Sequence, residues 1–378
     1  MSLLLAACAL TLLQDSAPEG APAPLHERLQ SQLAAYVAAA RVPGLSVGVA
    51  TARESLALAA GRRDRRAEAA LEPTDLLCAG STGKTFVAAV VLQLVAEQKL
   101  TLDTLAGELL GDEPWFEDLP NAGELSVRTL LAHRTGLPRY EFQPAFGRDL
   151  LAQKERVWRP EELLAYVSGH APAFAVDEGF TYSDTNYIVL GLLVERAAGA
   201  SLYAEVARRL LTPLGLEHVR PQDGRRIHGL VQGHAGAHDP LGFPEYVLDE
   251  DGLFCTNPQF EWAGGGFVTN GGDLARWARA LYGGDVLSRE LRTKMTTSQP
   301  APELGRDVGY GLGAITWKTP HGPAVGHEGF FPGYTSCVRY WPEHDVAVAV
   351  QVNTSDFKDL PRPLGRLCEE LLVLTLAP

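Results

Sequence analysis

The sequence lacks an excess of positive charge. In 378 residues, 33 lysines and arginines stand against 46 aspartates and glutamates, a net charge of -13 with histidine neutral. A nucleic-acid binder needs a basic face to neutralise phosphates, so this balance disfavours one. CxxC spacing is also missing. The five cysteines (Cys8, Cys78, Cys255, Cys337, Cys368) are widely scattered, which excludes the usual zinc and redox motifs. An odd number cannot pair completely, and they read as buried apolar thiols. Charged residues make up only 21% of the chain and apolar ones 46%, a composition that excludes general disorder. At roughly 150 residues per domain the length fits two structural units, or one interrupted by an insertion.

The apolar run at residues 3–13 is too short to cross a hydrocarbon core of about 30 Å as a helix. Small residues and prolines follow it up to position 24, so residues 1–24 are expected to be an export signal and linker, although no Lys or Arg precedes the run. Leu5-Ala6-Ala7-Cys8 resembles a bacterial lipobox, in which a lipidated Cys8 would attach the protein to a membrane.

Apolar residues at helical spacing predict helices over 25–40, 82–97, 126–133, 161–167, 186–198, 202–211 and 363–374. Strands are expected at 45–50, 55–60, 309–317, 334–341 and 345–353. Strands at both ends with helices between them imply an α/β (α+β) chain. Its sheet domain takes residues 25–80 and 217–378, and a mainly helical domain takes 81–216. A cleft between such units is a preferred place for a small-molecule site.

Three segments could carry chemistry. Gly80-Ser81-Thr82-Gly83-Lys84-Thr85 ends like a phosphate-binding loop, but Cys78 stands where that loop requires glycine. Read instead as Ser-x-x-Lys at a helix start, it puts Ser81 and Lys84 on one face, where an amine with a lowered pKa could take the hydroxyl proton. Tyr182-Ser183-Asp184 precedes an apolar helix and offers either ordinary capping or a phenol that could act as a base beside Lys84. Gly326-His327-Glu328-Gly329 lacks the second histidine of a zinc protease, so a substrate-lining strand edge is the better reading. The cluster His228, His234, His238 and Asp239 reads as a Gly/Ala-rich loop rather than a metal site. Asp273 is expected to cap a helix over 274–281.

Each motif alone is weak, but their order and separation resemble the serine hydrolases related to class C β-lactamases, D-Ala-D-Ala carboxypeptidases (penicillin-binding proteins) and kindred esterases. Supporting segments lie at 130–138, 187–191, 263–266, 309–313 and 331–334. The resemblance implies that family's fold, an antiparallel sheet flanked by helices plus an all-helical domain. It implies Ser81 as nucleophile, Lys84 and Tyr182 in proton transfer, and the backbone N–H groups of Ser81 and Phe330 as oxyanion hole. Asp184, His327, Glu328 and Gly329 would meet the substrate, and His327 would hydrogen-bond near Tyr182. The segment of His133 packs a helix end in the resembling family, which makes that histidine structural. No metal or cofactor is implied, and the partner is a small-molecule ester, amide or peptide.

Two departures bear on substrate. Asp184 replaces an asparagine and, if ionised, can only accept hydrogen bonds. His327-Glu328-Gly329 replaces Lys-Thr-Gly, exchanging a fixed cation for a partly cationic histidine and adding a carboxylate. Neutral or cationic esters and amides are therefore expected to outdo β-lactams and carboxylate-ended peptides. A carboxypeptidase or β-lactamase is one alternative. A catalytically retired module that binds cell-wall fragments or a protein partner is another.

Overall fold

The structure is a computed structural model, and residues 23–237 and 239–377 are described. The apolar run at 3–13, Cys8 and His238 lie outside the described residues.

Eleven strands are assigned among the described residues: β1 (Gly44–Ala50), β2 (Ser55–Gly61), β3 (Leu77–Cys78), β4 (Arg220–Pro221), β5 (Phe267–Thr269), β6 (Gln299–Pro300), β7 (Val308–Tyr310), β8 (Ile315–Thr319), β9 (Gly322–Phe331), β10 (Tyr334–Trp341) and β11 (Val346–Val352). Eight form one antiparallel sheet in the order β2-β1-β11-β10-β9-β8-β7-β6; β3, β5 and β4 form a small second sheet. Val350 of β11 pairs with Val47 of β1 on one side and Cys337 of β10 on the other. Every residue of β1, β10 and β11 is buried. A sheet covered on both faces has no need of polar alternation, so β1 and β11 read as nearly unbroken apolar runs.

The outer face is covered by the opening helix, Leu25–Ala38, and the carboxyl-terminal helix, Leu364–Leu376. Leu29, Leu33, Tyr36, Leu367, Leu371 and Leu372 pack there against Val47, Val348 and Trp341. The inner face meets the helix Gly271–Tyr282 at unusually close range. A Cβ on Gly48 would fall 1.9 Å from the Gly271 carbonyl oxygen, so glycine alone permits this approach of helix to strand.

From Gly80 to Leu214 the regular elements are helical. Their apolar residues join one cluster with the inner face of the sheet: Phe86, Val90 and Leu190 belong to it together with Val338 and Ala349. The helical part thus shares its core with the sheet. No single helix among the described residues is long and apolar enough to cross a membrane. Cys78, Cys337 and Cys368 are buried and Cys255 half-buried, all as free thiols.

Four local expectations need correction. The strand expected at 309–317 is a hairpin of β7 and β8, because Gly313 at φ +80° turns the chain. The helix expected from 82 starts as a 3-10 turn, Gly80–Gly83, and becomes α-helical over Lys84–Ala96. The segment at 202–211 passes from the α-helix Leu202–Val206 into a π-helical turn, Ala207–Leu211. Asn270, not Asp273, caps Gly271–Tyr282, its side chain accepting from the Asp273 N–H. Asp273 itself accepts from the His218 N–H and pairs with Arg276.

Candidate active site

Ser81 lies in the 3-10 turn that opens the helix Lys84–Ala96, and Lys84 is the first residue of that helix. The turn is pressed against β9. A Cβ on Gly329 would sit 2.1 Å from the Ala79 carbonyl oxygen, and one on Gly80 would strike the main chain of Phe330 at 2.6–2.8 Å. Both glycines are therefore steric requirements for bringing the Phe330 backbone beside the residue preceding Ser81. β8 pairs with β9 only as far as Gly326, so residues 327–331 keep a free edge on that side. A strand edge does pass Ser81.

Lys84 is fully buried, with two hydrogen bonds and one ion pair at its ammonium. Nζ lies 3.0 Å from Ser81 Oγ, 2.6 Å from Asp184 Oδ1, and in hydrogen-bond contact with the Gly264 carbonyl. Burial acts to lower the lysine pKa, but Asp184, Tyr182 and Glu261 around it outweigh burial and the pKa is raised. The lowered amine expected from sequence is therefore not found. Asp184 is likewise turned to Lys84, as its counter-ion.

The Tyr182 ring stands 5.0 Å from Lys84 Nζ, and its hydroxyl, buried beside Ser81 and Lys84, holds no well-formed hydrogen bond. Burial raises its pKa, and the Lys84 charge works against that rise. His133, expected to be structural, supports this tyrosine: their ring centroids are 4.3 Å apart, and His133 Nδ1 accepts from the Ser183 N–H at 3.2 Å. On the other flank of the loop, the Tyr182 N–H donates to Glu303 at 3.2 Å.

His327 and Glu328 depart from expectation, and strand alternation explains both. His327 points inward and is 1% exposed. Its Nδ1–H donates to the Glu328 carbonyl at 2.6 Å, which leaves Nε2 to accept from the Tyr310 hydroxyl at 3.1 Å, not from Tyr182. Burial and the nearby Lys84 charge hold its pKa down to about 3, so it is neutral rather than partly cationic. Glu328 points to the opposite face, where it lies 3.7 Å from Arg339. Its charge is compensated there and does not face Ser81.

Three buried or half-buried groups escape the sequence reading. Arg139 and Glu141 pair at 2.6 Å beside the cleft, and Glu261 bonds to Gln222 at 3.3 Å. Burial, with Asp184 adding, pushes Glu141 up to about 7 and Glu261 up to about 8. Their trace in the sequence is a lone carboxylate inside Phe260-Glu261-Trp262 and a charged pair flanking Tyr140. Among the described residues no three His, Cys, Asp or Glu side chains are grouped as a metal site; His234 is buried with both ring nitrogens unpartnered.

A cleft of about 620 Å³ joins Ser81, Tyr182, Asp184, His327 and the Phe330 strand edge. The family model for Beta-lactamase matches residues 29–367. The chain belongs to this family. It is 27% identical over 377 residues to Penicillin-binding protein 4 of Amycolatopsis lactamdurans, covering 93% of each chain. It is 26% identical over 272 residues to Penicillin-binding protein 4* of Bacillus subtilis (strain 168), 68% of this chain but only 57% of that longer protein. Among solved structures, a D-stereospecific amidohydrolase from Streptomyces sp. superposes with a TM-score of 0.74 at 27% identity, over 88% of this chain and 95% of that one. The antiparallel sheet with flanking helices is thus the β-lactamase and penicillin-binding-protein fold that the motifs implied.

Proposed function

We propose that this member of the Beta-lactamase family is a serine hydrolase that cleaves uncharged ester or amide bonds through an acyl-enzyme on Ser81. The observation that carries the reading is the fully buried Lys84 with its Nζ at 3.0 Å from Ser81 Oγ, which is half-buried at the cleft. Because Asp184 keeps Lys84 protonated, Lys84 serves as the fixed cation, and the Tyr182 oxygen is the proton acceptor. In the minor ionised form of Tyr182, Ser81 Oγ bonds to the carbonyl carbon while its proton passes to the phenolate, and the phenol so formed protonates the leaving nitrogen or oxygen as the bond from that atom to the carbonyl carbon breaks. Water repeats the sequence to release the acid. The Ser81 and Phe330 N–H groups stabilise the oxyanion, each supplying on the order of 3 kcal/mol.

The electrostatics favour a neutral substrate. Each ionised side chain lining the cleft has a partner: Asp184 with Lys84, Arg139 with Glu141, Glu328 with Arg339, Arg362 with Glu370. Glu261, raised to about 8, is protonated at neutral pH. With Glu141 ionised, above about pH 7, a substrate carboxylate meets no unpaired cation, and a substrate ammonium no unpaired anion. The relative described as a D-stereospecific amidohydrolase supports amides as one substrate class. Export belongs to the same proposal and rests on residues 3–13.

The test is a fluorophosphonate label with a comparison of nitrocefin and p-nitrophenyl butyrate. Labelling is expected in the native protein and lost in Ser81→Ala, with kcat/KM for the ester above that for the lactam and reduced by at least about 10⁴-fold in the variant. Faster lactam turnover would reverse the substrate reading. Absence of both labelling and turnover would instead favour a retired binding module.

A further inference from the structure

The cavity that contains Ser81 does not end at the catalytic corner. It passes over the free edge of β9 and continues onto the outer face of the sheet, as far as the start of the carboxyl-terminal helix. Strand alternation sorts its walls. Gly329 and Ser336 pair across β9 and β10 and face inward, where the Ser336 hydroxyl donates to the Ala79 carbonyl at 2.7 Å. Phe330 pairs with Thr335 and sends its side chain the other way, so one residue presents its backbone to the reaction and its ring to a second compartment.

That compartment is lined by Trp317, Phe330, Phe357, Leu360, Pro361 and Leu364. The rings of Phe330 and Phe357 stack with centroids 6.5 Å apart, yet Phe357 remains 63% exposed on a short 3-10 turn. A phenylalanine held open to solvent at the mouth of a cavity loses apolar burial that a ligand could restore. The charges at its borders do not compete for a ligand. Glu328, turned to this face, lies 3.7 Å from Arg339, which is also held by Glu369 at 2.9 Å and lies over the Trp317 ring at 4.6 Å, and Arg362 is paired with Glu370.

We propose that this arm is a binding subsite for an extended apolar substituent of the substrate, an alkyl chain or aromatic group of about six carbons or more. The inference rests on the hydrolase reading only in that the occupant is taken to be part of the molecule cleaved at Ser81. Continuity with the nucleophile argues for a substrate substituent as occupant. The arm and Ser81 share one cavity, and the Phe330 main chain that borders the oxyanion position forms the wall between the compartments. A chain leaving the scissile carbonyl along the β9 edge therefore meets the Phe330 and Phe357 rings. Specificity then comes from length and apolarity rather than charge.

The test separates the arm from catalysis by measuring binding in the full-length Ser81→Ala protein. Calorimetric titration with butanamide, hexanamide and octanamide is expected to show affinity rising about three- to fourfold for each added methylene that enters the arm. The octanamide-to-butanamide affinity ratio should exceed tenfold and fall toward one in Ser81→Ala carrying Phe357→Glu. Because Phe357 is an exposed turn residue, that variant keeps its fold, and an unchanged circular dichroism melt verifies this. Affinity independent of chain length, or a ratio unmoved by Phe357→Glu, overturns the proposal. Chain-length-dependent binding in a protein that neither reacts with fluorophosphonate nor turns over esters supports the arm while sinking the hydrolase reading.

Discussion

His327 and Glu328 are adjacent in sequence and live in different electrostatic worlds. On the inner face of β9, His327 is buried among Tyr310, Tyr182 and Lys84 and is held neutral. On the outer face, the Glu328 side chain is 52% exposed and reaches Arg339 at 3.7 Å. Inside, burial strengthens electrostatics, so the protonation of one group depends on its neighbours: the Asp184 carboxylate helps raise Lys84, Glu141 and Glu261 alike. Outside, solvent screens the Glu328–Arg339 pair, and Arg339 is shared with Glu369. The -13 net charge of the chain therefore says little about the site, where few carboxylates matter and part of them are protonated.

The severest test of this contrast is Asp184→Asn. It leaves the Lys84 ammonium buried without its counter-ion at 2.6 Å, and unfolding in denaturant at pH 7 is expected to show a loss on the order of 3 kcal/mol. In the native protein the raised Lys84 pKa means that the pair stabilises the fold below lysine's ordinary 10.5, with the contribution lost as pH rises past the folded value. The same variant separates the two proton-transfer roles. With Tyr182 raised by burial and by the Asp184 charge, native kcat/KM should still climb above pH 9; without Asp184 that negative charge is gone, the Tyr182 proton leaves more easily beside Lys84, and the climb should shift to lower pH. An unmoved profile would mean that the Asp184 charge does not act on the proton acceptor.

Glu261→Gln should have a smaller effect of opposite sign. The folded pKa is raised from 4.5 to about 8, so the fold is fully favoured below 4.5 and loses that contribution as pH rises through 8. The neutral amide avoids this loss. Its Tm should exceed the native value by a few degrees at pH 9 and match it at pH 5; equal gains at both pH values would show that Glu261 does not ionise in this range. Glu328→Gln should do least. Arg339 keeps Glu369 at 2.9 Å, so stability should change by less than about 1 kcal/mol and the nitrocefin-to-butyrate ratio by less than about twofold. A large shift in that ratio would restore Glu328 as the selector of substrate charge and erase the distinction between the two faces.

Much of the site is legible in the order of the amino acids. Ser81 and Lys84 are three residues apart on one turn, and the chemistry of that spacing survives in the 3.0 Å contact. Tyr182 stands out through its place before an apolar helix and through the order of the motifs along the chain. The strands β1, β10 and β11 match their expected limits within a residue or two, because the apolar runs of β1 and β11 and the aromatic-rich stretch of β10 are flanked by turn residues. β9 is only half visible. His327 marks it as a strand edge, but its Gly- and Pro-containing start, Gly322-Pro323, hides its full extent.

Motif order carries the resemblance to the family and singles out the candidate reacting side chains, and apolar period predicts most of the elements. The charge on each of those side chains is settled only by the tertiary fold. Lys84 is cationic because Asp184, a hundred residues away in the chain, lies 2.6 Å from it. His327 is neutral because β9 turns it inward, and Glu328 is harmless to the site because the same alternation turns it out. Protonation depends on burial and on distances of a few ångströms between residues remote in the chain, and no local pattern of amino acids encodes those distances.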